Sequence, residues 1–170
     1  YSNGNTTSIS STSASGKFGG TTTLGMTKGK FYMEAKATVD SPSRNVIGIT
    51  GEATTIAKSN VSPQDGTNSC ISYDSESGFV VLNTVTQYTG STYATGDIIQ
   101  IALDMDNLKV YFGKNDTWQN SGDPESGATG TGAVSLIALS STTDGAYFFG
   151  QGDNTGTSAV SKFDFNFGNP

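Results

Sequence analysis

The 170-residue chain is sized for one domain around one substantial core. Fifteen acidic against nine basic residues give a formal net charge of −6; with no basic stripe to displace counterions, a nucleic-acid partner is not expected and an anionic membrane surface is disfavoured. There is no histidine, one cysteine (Cys70) and one arginine (Arg44), so a Ser-His-Asp triad, an intrachain disulfide and a thiolate zinc site are excluded together.

Charged residues are only 14% of the chain, and Gly, Ser, Thr and Asn fill the gap. The apolar residues nonetheless fall in short periodic clusters between polar turns, which is the pattern of folded β-structure rather than disorder. No apolar run reaches transmembrane length, and nothing over Tyr1–Ser10 has the form of a signal peptide. The abrupt start at Tyr1 leaves room for a longer parent polypeptide, so that absence does not bear on location.

The first clear strand runs from Lys30 to Val39. Phe31, Met33, Ala35, Ala37 and Val39 alternate with Tyr32, Glu34, Lys36 and Thr38, and the first set is expected to face the core. Pro42 breaks the run, and Asn45–Thr50 (NVIGIT) reads as a more buried strand. Gly51 through Ser69 is polar, holds Pro63 and Gly66, and is expected to be a loop of the length that carries binding sites. Strands are expected at Cys70–Tyr73 and Gly78–Val85, joined by Asp74-Ser-Glu-Ser. A hairpin follows, with arms Asp97–Asp104 and Lys109–Lys114 turning at Asp106-Asn107. Val134–Ser140, Ala146–Gly150 and Lys162–Gly168 complete the set. In the last, Phe163, Phe165 and Phe167 share a face that a second sheet must cover. About ten short strands without a helical period mean an all-β, two-sheet antiparallel β-sandwich in one domain over 1–170.

Three segments carry a family resemblance. GKFYMEAKA at Gly29–Ala37 is similar to the "GKWYWEV" strand that opens SPRY domains. GDIIQIALDMDNLKVYFGKNDTW at Gly96–Trp118 follows the family hairpin "GDVIGVALDLDNGKIWFSKNGxW" nearly position by position, and FNFG at Phe165–Gly168 resembles its closing "NFG". They keep the family's order and spacing across most of the chain, which implies the concanavalin-like jelly roll of SPRY domains. Three departures stand out. Phe31 and Met33 replace two tryptophans, Leu108 replaces the turn glycine after Asn107, and Asp116 with an inserted Thr117 replaces the glycine before Trp118. Leu108 argues against a type I′ turn at Asn107-Leu108, whereas Asp116 tolerates the left-handed region. The lead-in SNGNTTSISSTSASGKF resembles that of SPRY domains in bacteriophage virion proteins.

The acids do not form a hydrolase signature. The Glu-x-Asp-x-x-Glu strand of laminarinase-type enzymes is absent, and Glu34 is the only strand-borne glutamate, with Lys36 on the same face two residues on, expected in a surface or cross-strand pair. Asp104 and Asp106 lack EF-hand spacing and belong to the turn. The glycine-rich Gly150–Thr157 has neither Lys nor a following helix, so it is not a phosphate loop. Asn5, Asn60 and Asn115 head glycosylation-type triplets that a Ser/Thr-rich chain produces by chance. No catalytic residue, metal ligand or cofactor is expected.

What remains is recognition. Arg44 and Asn45, between the first two strong strands, and Tyr73, Tyr88 and Tyr93, near loop ends, are the candidate contact residues. Trp118, the only tryptophan, is expected to pack over the hairpin, with sugar stacking as the alternative. The resemblance implies a non-catalytic binding module on a phage tail or head fibre, at the virion surface. Its partner would be a host-surface glycan or protein, without membrane insertion, and a preceding region could make it a homotrimer. The alternatives are a structural or decoration domain packed against neighbouring virion subunits, and a cellular SPRY adaptor that binds a peptide.

Overall fold

A computed structural model of the chain describes residues 7–9, 19–40, 44–56, 69–153 and 161–168. The described chain folds as two antiparallel sheets. The strands are β1 (Thr7–Ile9), β2 (Gly19–Thr21), β3 (Lys30–Asp40), β4 (Asn45–Thr50), β5 (Cys70–Asp74), β6 (Phe79–Leu82), β7 (Val85–Thr89), β8 (Ile98–Asp104), β9 (Lys109–Lys114), β10 (Thr117–Trp118), β11 (Val134–Ser135), β12 (Phe148–Asp153) and β13 (Ser161–Asn166). One sheet has seven strands in the order β1-β13-β3-β8-β9-β10, with β11 also on β9; the other has six, in the order β2-β12-β4-β5-β6-β7. The expected all-β sandwich is the architecture observed.

Period-two alternation explains how the layers meet. On the seven-stranded sheet, Phe31, Leu103 and Val110 share one inward row, and Met33, Ile101 and Phe112 the next. On the six-stranded sheet, Phe149, Ile49 and Ile71 form one row, and Ile47, Tyr73, Val80 and Tyr88 another. Nearly all of these are buried in one core cluster, with Phe31 and Tyr88 packed half-buried at its margin. The side chain of Val39, expected in this set, lies outside the described residues.

Gly48 marks the closest approach between strands. An added Cβ there would meet the Ile71 carbonyl oxygen, so only glycine fits. The β8–β9 hairpin turns through Met105–Leu108, with Asp104 Oδ1 accepting from the Asn107 N–H at 3.0 Å and Leu108 in the left-handed region at φ 53°. That is not a two-residue type I′ turn, as the missing glycine implied. A type I′ turn appears instead at Asn115 (φ 47°) and Asp116 (φ 63°), which joins β9 to β10.

Several boundaries differ from the sequence reading. Gly78–Val85 is not one strand. Asn83 and Thr84 take φ of 49° and 65° and reverse the chain, so Leu82 pairs with Val85 and β7 becomes a strand of its own. No glycine announces this turn, and Thr84 is β-branched, so the position is strained. Val134–Ser140 keeps only two strand residues, because the Leu136 N–H turns to the Leu108 carbonyl (2.9 Å) and a 3₁₀ turn follows at Leu139–Ser141. Of the triple-Phe face, Phe163 and Phe165 are buried but Phe167 is 41% exposed. It lies past the end of β13, where it stacks on Phe165 with ring centroids 6.0 Å apart. In the expected loop Gly51–Ser69, Ala53–Ile56 forms one helical turn, and residues 57–68 lie outside the described ones.

Candidate binding surface

The expected contact residues separate into two places. Arg44, Asn45, Tyr73, Tyr88 and Tyr93 gather at one end of the six-stranded sheet, but most of them point inward. Tyr73 shares an inward row with Ile47, Val80 and Tyr88, and its ring meets Tyr93 (5.1 Å) and Phe112 (5.8 Å) edge-on. Its hydroxyl donates to the Ser91 carbonyl. The Tyr93 hydroxyl donates to the carbonyls of Asn45 (2.8 Å) and Tyr73 (3.1 Å), and Asn45 is itself buried. Burial pushes the hydroxyls of Tyr73 and Tyr88 well above the ordinary tyrosine range. Tyr73 and Tyr93 therefore hold strand ends together with their side chains turned inward, while Tyr88 packs half-buried at the core margin and its hydroxyl has no hydrogen-bond partner among the described residues. The sequence reading placed Tyr73 and Tyr93 at polar loop ends; their hydroxyls find backbone acceptors inside, so the rings stay buried.

Arg44 has a specific employment as well. Its Nε lies 3.2 Å from Asp74 Oδ2 and 3.2 Å from Glu76 Oε2. Asp74 is fully buried. Its Oδ1 accepts from the N–H groups of Glu76 (3.0 Å) and Ser77 (2.9 Å) and from the Ser77 hydroxyl (2.9 Å), which organises the Asp74-Ser-Glu-Ser turn. Oδ2 has no conventional hydrogen bond, so Arg44 supplies the countercharge.

Trp118 lies elsewhere, on the outer face of the seven-stranded sheet. It pairs with Gly113, and an added Cβ at Gly113 would lie 3.1 Å from the indole, so the missing side chain is what lets the ring lie across β9. The expected packing over the hairpin is therefore observed. The other side of Trp118 borders a cleft of about 260 Å³ lined by Lys30, Phe31, Tyr32, Ala102, Leu103, Asp104, Tyr111 and Pro124. Cross-strand pairing explains the hollow. Ala102 sits between Tyr32 on β3 and Tyr111 on β9, and its single methyl leaves open floor between two large walls. Tyr111 is buried by the loop after β10, where its hydroxyl meets Ser126 Oγ at 3.2 Å.

Polar pairs fix this rim. The Tyr32 hydroxyl donates to Glu34 Oε1 (2.8 Å), and Lys30 Nζ lies 3.5 Å from Asp104 Oδ2. Gln100 and Asp116 bond reciprocally, Nε2 to Oδ1 at 2.6 Å and backbone N–H to Oε1 at 3.1 Å, which anchors the turn that presents Trp118. Burial, then the hydrogen bond and charge of Glu34, push the Tyr32 hydroxyl up to about 12. Asp104 is held below the usual carboxylate range by Asn107 and Lys30, against the opposing effect of its burial. Among the described residues, no cluster of three or more Cys, Asp or Glu side chains is placed to hold a metal ion. Tyr32 and Tyr111 were not among the expected contacts. Each falls on the solvent-side phase of its strand, but the small residue between them, Ala102, is their neighbour only through strand pairing.

No family model matches the chain, and no curated protein does. Solved structures are similar to it in fold. The SPRY domain of human HERC1 matches with a TM-score of 0.67 at 16% identity, over 92% of this chain and 86% of that one. A human SPRY domain matches with a TM-score of 0.65 at 13% identity, over 93% and 89%. At these identities the likeness establishes the SPRY-type sandwich fold.

Proposed function

We propose that this domain is a non-catalytic recognition module that captures its partner in the Tyr32–Trp118 cleft. The observation that carries the reading is an open aromatic hollow on a sheet face, framed by Tyr32 and Trp118 with the buried Tyr111 behind, and ringed by hydrogen-bonded polar groups. Of the neighbouring acids, Asp104 pairs with Lys30, and Glu34 and Asp116 accept hydrogen bonds from Tyr32 and Gln100, an arrangement that favours recognition over hydrolysis. The resemblance of the lead-in to phage virion proteins supports display on a tail or head fibre. In that setting the partner is a glycan or protein on the host surface.

The test is saturable binding of the labelled domain to a panel of marine and enteric bacteria, alone and presented as a trimer. Trp118→Ala and Arg44→Leu variants run beside it, each checked for its fold by circular dichroism. Loss of binding in a folded Trp118→Ala variant supports the cleft. Undiminished binding by that variant sinks it.

A structural role among virion subunits is the second reading, favoured by the edge strand β7. No charged residue occurs from Gly78 through Gly96, and Val85 on that edge is 60% exposed, so the edge lacks the charges that usually block strand pairing. Under this reading the domain self-associates or binds virion components and ignores cells.

A further inference from the structure

We infer that the corner between Tyr32 and Trp118 receives a cationic side chain, the guanidinium or ammonium group of an Arg or Lys on a protein partner; this rests on the cleft being the binding site.

Charge is distributed unevenly along the cleft. Three cross-strand rows cross the outer face. Lys30, Asp104 and Lys109 form one, Tyr32, Ala102 and Tyr111 the next, and Glu34, Gln100, Gly113 and Trp118 the third. Lys30 and Glu34 are four residues apart on β3, which is about 13 Å at the rise of an extended strand. The Lys30 charge is compensated where it stands, by Asp104 at 3.5 Å. At the Trp118 end, Glu34 accepts from the Tyr32 hydroxyl (2.8 Å) and Asn166 Nδ2 (3.4 Å), and Asp116 from Gln100 (2.6 Å). Those donors are neutral, and no Lys or Arg among the described residues forms an ion pair with Glu34 or Asp116. The charges of both carboxylates help to raise the Tyr32 hydroxyl, after burial as the larger cause, so their fields overlap at that ring.

The aromatic geometry points the same way. The two rings stand at 70° with centroids 6.5 Å apart, which makes a corner and not a stack. A cation in that corner meets the negative face of an aromatic ring and lies in the field of two carboxylates whose bonded donors are neutral; Lys36, two residues beyond Glu34 on the same strand face, makes no ion pair with it among the described residues. A carboxylate can accept further hydrogen bonds beyond those Glu34 already has, so a guanidinium could bond to it directly. A neutral sugar ring would find the stacking surface but would gain nothing from the charges of Glu34 and Asp116.

Trp118 is the only tryptophan, so its emission reports on the site directly. The probes are an acetylated, amidated Gly-Arg-Gly tripeptide, its Lys and Gln counterparts, and methyl hexopyranosides, each titrated into the whole domain. The expected result is a saturable change with the Arg and Lys peptides, at least about fivefold tighter than with the Gln peptide. It should weaken as ionic strength rises past about 0.15 M. Glu34→Gln should erase most of the preference for Arg over Gln while the fold is kept. Equal binding of the Arg and Gln peptides, tighter binding of the pyranosides, or no response to any peptide overturns the inference. The cleft itself is judged separately by cell binding of the Trp118→Ala variant.

Discussion

Arg44→Leu separates two roles for the only arginine. Asp74 is 0% exposed and loses its countercharge, while Oδ1 keeps its three hydrogen bonds from the Glu76 and Ser77 N–H groups and the Ser77 hydroxyl. Breaking a fully buried ion pair costs about 3–5 kcal/mol. Arg44 is 33% exposed, so water reaches part of the gap, and a loss of about 2 kcal/mol is expected once that screening is counted. For a chain of this size that lowers Tm by about 4–8 °C. Thermal and urea unfolding by circular dichroism measure it. Glu76 is 71% exposed, and Glu76→Gln should cost less than about 1 kcal/mol. Arg44→Leu with Asp74→Asn should recover much of the loss, since asparagine removes the orphaned charge while its amide oxygen still accepts the three turn hydrogen bonds. A stable Arg44→Leu variant that has lost cell binding would refute the structural role and restore Arg44 as a contact residue.

Further outcomes follow from other positions. Thr84→Gly removes a β-branched residue from φ 65° in a turn that favours glycine and should stabilise by about 0.5–1 kcal/mol in urea melts; destabilisation would mean that the threonine makes a contact worth more than the strain. Gly48→Ala places a Cβ 1.9 Å from the Ile71 oxygen and should cost more than about 2 kcal/mol, or prevent folding, by the same assay. Burial raises the Cys70 thiol to about 11 from 9.0, so a disulfide reagent should leave it unmodified at neutral pH until the protein unfolds. Its folded value lies above the unfolded one, so its contribution to stability is whole below pH 9 and is lost as the pH rises through 11. Tyr32 and Tyr147, both raised to about 12 from 10.0, act in the same direction at higher pH. Stability that stayed level or rose above pH 9 would contradict this.

Much of the frame was legible because it is written in local alternation. Lys30–Val39, Asn45–Thr50 and the Gly96–Trp118 hairpin carry their core faces in their own residues, and the two sheets follow from them. Asp116 signalled the left-handed turn that it makes. The Asn83-Thr84 reversal was hidden because a strained threonine does the work usually left to glycine. The binding residues were harder. Tyr73 and Tyr93 look like surface tyrosines until their hydroxyls are seen to reach backbone carbonyls across the fold. The cleft exists because Ala102 stands between Tyr32 and Tyr111, residues brought together by strand pairing rather than by spacing in the sequence.

One measurement tests the cleft most directly. The single indole N–H of Trp118 gives one resolved signal in a nitrogen–proton correlation spectrum, which can be followed as envelope extract from a bound bacterial strain is added. The cleft account expects that signal to shift together with the amides of Tyr32 and Ala102. An unmoved indole, with shifts confined to the Asp74–Gly78 turn and the 90–94 segment, would contradict it and return the binding site to the Arg44 end.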